Sequence, residues 1–175
     1  MNLLHDISPG SADEMNVIIE VSRGSYNKYE VDKETGLIAL NRANYNQAPF
    51  PFDYGFVPQT VGDSGDALRV VVMATFPISE GILVKVRPVA LMEMTDVGEP
   101  NSDLIAVPVK DQRWSDVHDL ADIHKHTVKE IGHFFETYKQ LKGDEVVVNG
   151  FKPRVDAIAA FNRACDLYSK KFGKK

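Results

Sequence analysis

Residues 28–40 read Lys28-Tyr29-Glu30-Val31-Asp32-Lys33-Glu34-Thr35-Gly36-Leu37-Ile38-Ala39-Leu40. Residues 28–31 and 37–40 suit extended chain. The five residues between them form a turn with glycine at its end, so the stretch predicts a β-hairpin. On such a strand Lys28 and Glu30, two apart, share one face. Working outward, residues 16–21 (NVIIEV) and 69–74 (RVVVMA) are short apolar runs suited to buried strands. Residues 82–94 alternate over much of their length, with Pro88 marking a bend or an edge. Residues 104–109 and 145–148 complete a prediction of five to seven strands.

The last third changes period. Val128, Ile131, Phe134, Phe135, Tyr138 and Leu141 recur at spacings of three and four, one face of a helix ending near Gly143. A second helix is predicted over residues 156–172, started by Pro153, with Ile158, Phe161, Cys165, Leu167 and Tyr168 facing inward. Strands first and helices last predict an α+β fold: a small closed or nearly closed, antiparallel-rich, OB-like β-barrel with two C-terminal helices packed on it. The length of 175 residues suits one domain, residues 1–175. Residues 42–66, rich in Pro and Gly around Tyr45, Phe50, Phe52, Tyr54 and Phe56, read as a long aromatic loop. That loop is either the wall of a site or an Ω-loop packed by its own rings.

Composition narrows the function. Hydrophobic residues make up 43% and charged residues 26%, which excludes a mainly disordered chain. A net charge of −5 argues against general binding to nucleic acid or to anionic membranes. The single cysteine, Cys165, excludes an internal disulfide and a Cys-based zinc site. No signal peptide, transit peptide or membrane span is read, so a cytoplasmic protein is expected. His118, His124, His126 and His133 lack the spacing of a helical metal pair and read as structural or surface residues.

Glu20, Lys28, Glu30, Arg42, Tyr54, Asp63, Asp66, Asp96, Asp103, Tyr138 and Lys139 combine both signs of charge with phenols. That mixture suits phosphate and a divalent cation: carboxylates for Mg²⁺, Lys and Arg for phosphate oxygens, Tyr as donor.

The segments, in their order, resemble the soluble family I inorganic pyrophosphatases. The resemblance spans nearly the whole chain. It rests on Val17-Ile18-Ile19-Glu20, on residues 28–36 with Arg42, on Tyr54-Gly55-Phe56-Val57-Pro58 and on Arg87-Pro88-Val89. It continues through Met94-Thr95-Asp96, Leu104-Ile105-Ala106-Val107-Pro108 and His133-Phe134-Phe135-Glu136-Thr137-Tyr138-Lys139. It implies a barrel with flanking helices and Mg²⁺-dependent hydrolysis of pyrophosphate to two phosphates. It also implies homo-oligomers, hexameric in bacteria. His133 matches a histidine of the family's trimer contact, while Thr137 and Gln140 depart from that pattern.

By this resemblance Asp66 is the proton-accepting aspartate and, with Tyr54, the expected catalytic pair. Lys28, Arg42, Tyr138 and Lys139 match phosphate-binding positions, and Glu20, Glu30, Asp66 and Asp96 match acidic or metal-binding ones. The chain departs from the family signature D-G-D-P-x-D, reading Ser64-Gly65-Asp66-Ala67-Leu68-Arg69. Ser64, Arg69 and Asn101 stand where the family has metal-binding aspartates. Asp103 stands in place of a lysine, and Phe50 in place of a tyrosine. The charged exchanges remove three carboxylates and make the site two charge units more positive. Ser and Asn offer only neutral oxygens, and Arg offers none. At about 4 Å and an effective dielectric near 20, each unit-charge repulsion of a cation by Arg69 is on the order of 4 kcal/mol.

Fewer Mg²⁺ or Mn²⁺ sites are therefore expected. Three readings follow. One is a pyrophosphatase with a rebuilt site, in which Asp103 supplies a carboxylate, Asp63 replaces the acid missing at Ser64, and Arg69 joins the substrate-binding residues. A second is a hydrolase or transferase for another phosphorylated compound, with a larger pocket lined by Phe50 and Arg69. The third is a non-catalytic phosphate-binding or interaction relative, its pocket closed by an Arg69–Asp103 bridge.

Overall fold

The computed structural model describes residues 1–173. Eight strands and two α-helices follow in the order β1 (Met15–Val21), β2 (Asn27–Val31), β3 (Ile38–Ala43), β4 (Asp53–Phe56), β5 (Arg69–Val72), β6 (Leu83–Asp96), β7 (Glu99–Pro108), α1 (Lys125–Thr137), β8 (Val146–Pro153) and α2 (Arg154–Phe172). The 28–40 hairpin forms as predicted. β2 and β3 pair antiparallel, with Lys28 opposite Arg42, and Gly36 takes the left-handed conformation that ends the turn.

Five strands close a ring, β1–β4–β5–β7–β6 and back to β1, and β8 extends it beyond β6. Among the described residues only β5 and β7 are parallel neighbours. The closure depends on β6, whose register shifts between Pro88 and Ala90. Before the shift its residues Leu83 to Val86 pair with β1; from Ala90 onward they pair with β8. Pro88 therefore sits at a bend, where its missing N–H is tolerated. Gly55 brings β4 against β1: a Cβ there would lie 2.1 Å from the Ile18 carbonyl oxygen.

Several predicted boundaries move. The stretch 42–66 contains a strand, β4, buried at all four residues. Phe50 and Phe52 are also buried and pack with Tyr54, Phe134 and Phe135 between the barrel and α1. These rings are core, so the reading of the whole stretch as a loop is corrected. β7 starts at Glu99, five residues before the apolar run. It is joined to β6 by the two-residue turn Val97-Gly98, both with positive φ, which sets the tight reversal.

The first helix stops at Thr137, and a 3₁₀ turn closed by left-handed Gly143 follows. Leu141 is consequently exposed rather than inward. α2 begins at Arg154 and buries Ala157, Phe161, Ala164 and Tyr168, a line in which alanines allow close approach to the sheet. Leu167 lies on the exposed side, and Ile158 and Cys165 are half-buried. Among the described residues no helix is long and apolar enough to cross a membrane.

Candidate functional site

The predicted polar residues come from nearly every strand and meet at one end of the barrel. β1 supplies Glu20, β2 supplies Lys28 and Glu30, β3 supplies Arg42, and β4 supplies Tyr54. Arg69 opens β5, Asp96 closes β6, and Asp103 lies on β7. Tyr138 and Lys139 follow α1. Asp66 sits in the turn before β5.

Period-two spacing puts Lys28 and Glu30 on one face, and there they form an ion pair. Arg69 forks toward the same face. Its guanidinium binds Glu20 directly and stands 3.7 Å from Glu30 Oε1. The second oxygen of Glu20 accepts the Val31 backbone N–H at 2.9 Å. Glu20 is only 2% exposed, and burial pushes its carboxyl above the ordinary value against the pull of Arg69. Burial also lowers Lys28, against the opposing pull of Glu30. Burial alone would raise Glu30, but Lys28 and then Arg69 outweigh it and hold that carboxyl low.

Deeper in the barrel, Tyr54 Oη donates to Asp103 Oδ2 at 2.6 Å. Asp103 is fully buried, and desolvation lifts its pKa to about 6 although Tyr54 and Arg69 oppose the rise. Its Oδ1 has no protein partner. Burial and the neighbouring carboxylate push the Tyr54 phenol far up, so it remains a donor. Lys139 Nζ grips both oxygens of Asp96, at 3.1 and 2.9 Å. The Arg42 guanidinium lies 5.5 Å from the Tyr138 ring and 5.1 Å from the Tyr45 ring, and its Nη2 is buried without a hydrogen-bond partner.

Asp66 is half exposed and bonded to Lys33 Nζ at 2.8 Å. Burial works to raise its carboxyl, but Lys33, Arg69 and Lys28 together hold it below the usual range. Lys33 escaped the sequence reading because it lies in the hairpin turn with no spacing that marks it. The only available signal was its place beside Lys28 and Glu30.

Three expectations are corrected. Arg69 does not bridge to Asp103. The two occupy neighbouring positions, one before the registered pair Val70 and Leu104 of parallel β5 and β7, but Arg69 turns to Glu20 and Asp103 to Tyr54. Asp63 does not stand in at Ser64, since it is paired with Arg163 of α2. Phe50 is 1% exposed in the aromatic core and lines no enlarged pocket.

The carboxylates do not fit a resident cluster of metals. Glu20 and Glu30 are neutralised by Arg69 and Lys28, Asp66 by Lys33, and Asp96 by Lys139. Among the described residues no three His, Cys, Asp or Glu side chains come together as a cation site. The histidines likewise form no cluster there: His124 caps α1 and His126 pairs with Glu130 at 3.1 Å.

A family model described as inorganic pyrophosphatase matches residues 17–169. The inorganic pyrophosphatase of Haloferax volcanii is 40% identical, covering 98% of this chain and 99% of its own. That of Leifsonia xyli subsp. xyli is 43% identical, covering 81% of this chain and 88% of its own. The crystal structure of the Thermus thermophilus inorganic pyrophosphatase superposes with a TM-score of 0.93 at 37% identity, covering 97% of this chain and 99% of that one.

Proposed function

The chain belongs to the inorganic pyrophosphatase family, and from that premise we propose that it hydrolyses diphosphate to two phosphates at a site rebuilt around fewer carboxylates. The observation that supports this most is the gathering of Lys28, Arg42, Arg69 and Lys139 at the barrel end that also carries Asp66. Diphosphate chemistry is mainly positioning and charge stabilisation, which such a set supplies.

In this reading Arg42, Lys28 and Lys139 hold the phosphate oxygens, with the Tyr138 hydroxyl as a further donor. Asp66, kept ionised at neutral pH by Lys33 and its other cationic neighbours, accepts the proton of the attacking water. The water oxygen bonds to one phosphorus, the bridging P–O bond breaks, and the leaving phosphate takes a proton from solvent. Tyr54, bonded to Asp103, positions that carboxyl rather than meeting the substrate. The family works with divalent metal ions, generally Mg²⁺. Here Asp66 and Asp96, whose partners are displaceable lysines, are the carboxylates that would hold a cation arriving with the diphosphate. That cation adds charge neutralisation. The same reading makes the protein a cytoplasmic homo-oligomer, an assembly that light scattering after gel filtration checks.

The test is phosphate release from diphosphate by purified protein with Mg²⁺ titrated, beside Asp66→Asn. Turnover that Asp66→Asn lowers by about 10²–10⁴-fold supports the assignment, that being the usual contribution of a general base. Wild-type turnover no greater than the variant's at any Mg²⁺ concentration refutes it.

A further inference from the structure

Arg69 occupies the place between acids where a cation would be expected. Its guanidinium binds one oxygen of Glu20 and approaches Oε1 of Glu30, while the other Glu20 oxygen is taken by the Val31 N–H. Lys28 takes Glu30 from the other side. Glu20, Glu30, Lys28 and Arg69 thus form a neutral foursome, and its arginine cannot release its charge within the range of protein titrations. The side chain is mostly buried, so its field acts through protein rather than water.

Beside the foursome stands a cation that no acid among the described residues neutralises directly. Arg42 is opposite Lys28 across the β2–β3 ladder, stacks on Tyr45 and Tyr138, and carries a buried, unpartnered Nη2. An arginine with an unused donor next to a neutralised acidic pair is arranged for an anion.

We propose that Arg69 is a built-in cation, cancelling the Glu20 charge so that diphosphate binds this site with no divalent metal present. Its role is charge cancellation at a distance; Arg42 and Lys28 make the contacts. This rests on the reading of the site as a diphosphate site, and it assigns Arg69 a positioning role distinct from chemistry.

The experiment is calorimetric titration of inorganic diphosphate into the full chain, once in EDTA and once in Mg²⁺. Wild type binds in EDTA. Arg69→Gln weakens binding in EDTA by at least about tenfold, the scale of one unit charge acting across a few ångströms of protein. The double variant Glu20→Gln/Arg69→Gln, neutral again, recovers it. Glu20→Gln alone keeps one acceptor oxygen, enough for the Val31 N–H or for Arg69 but not for both. It removes the negative charge that Arg69 cancels and so tightens binding in EDTA, a result that does not depend on Arg69→Gln folding. Binding of wild type only in Mg²⁺ overturns this inference and leaves the diphosphate reading standing. So does an Arg69→Gln variant that binds in EDTA as tightly as wild type. A double variant that does not recover, or a Glu20→Gln variant that binds no tighter, also overturns it. Absence of binding in both buffers overturns the diphosphate reading as well.

Discussion

The Tyr54 hydroxyl donates a 2.6 Å hydrogen bond to Asp103 inside the barrel, joining β4 to β7 across a fully buried carboxyl. Among the described residues that bond is the only one Asp103 makes to a side chain, and its second oxygen has no partner there. Tyr54→Phe therefore leaves the whole carboxyl buried and unsatisfied. A loss of about 1–3 kcal/mol in unfolding free energy is expected, measured by urea denaturation at pH 7. A loss under about 0.3 kcal/mol would show that water replaces the phenol there.

Asp103 also makes stability depend on pH. Burial raises its pKa from the ordinary 3.8 to about 6 in the folded chain. Between these values the unfolded chain has released the proton while the folded chain still holds it, so raising pH favours unfolding. The contribution is fully present below pH 3.8, falls as pH rises to about 6, and is level above that. Relative to Asp103→Asn, wild-type stability should fall by up to about 3 kcal/mol over this window. Urea midpoints of the two proteins at intervals from pH 4 to pH 7 measure it, and parallel profiles would contradict it.

The Arg69–Glu20 pair makes a different prediction. Arg69→Met strands a carboxylate that is 2% exposed, so about 3–5 kcal/mol of stability should be lost. Glu20→Gln/Arg69→Met removes both charges and should return to within about 1–2 kcal/mol of wild type. Additive losses in the thermodynamic cycle would mean that the two side chains are not coupled.

Gly55→Ala tests the closure of the barrel. Its Cβ would meet the Ile18 carbonyl at 2.1 Å, and the obstacle is backbone that cannot swing aside. Separating β1 from β4 should destabilise the chain by about 3 kcal/mol or more, read as a lowered thermal midpoint. An unchanged midpoint would show that the strands are less closely apposed than described.

The hairpin at 28–40, the apolar runs of β1 and β5, the bend at Pro88 and the periodicity of α1 were legible because each is a local property. Turn chemistry and side-chain period need only neighbours in the chain. β4 was hidden because Pro49, Pro51 and Gly55 resemble a loop, whereas tertiary packing buries the rings around them. The start of β7 was hidden because Glu99, Pro100 and Asn101 carry no apolar pattern and are held by pairing with β6.

For the site, residue identities and the exchanges at Ser64, Arg69, Asn101 and Asp103 were available from the sequence and its resemblance. Their partners were not. Arg69 could pair with Asp103, a near neighbour in strand register, yet it meets Glu20, 49 residues away. Tyr54 could face substrate, yet its hydroxyl is committed to Asp103. Sequence by itself determined which charges this protein carries and the local elements that bear them. Only the tertiary structure decided which charges cancel, because that depends on ring closure and on the register of strands far apart in the chain.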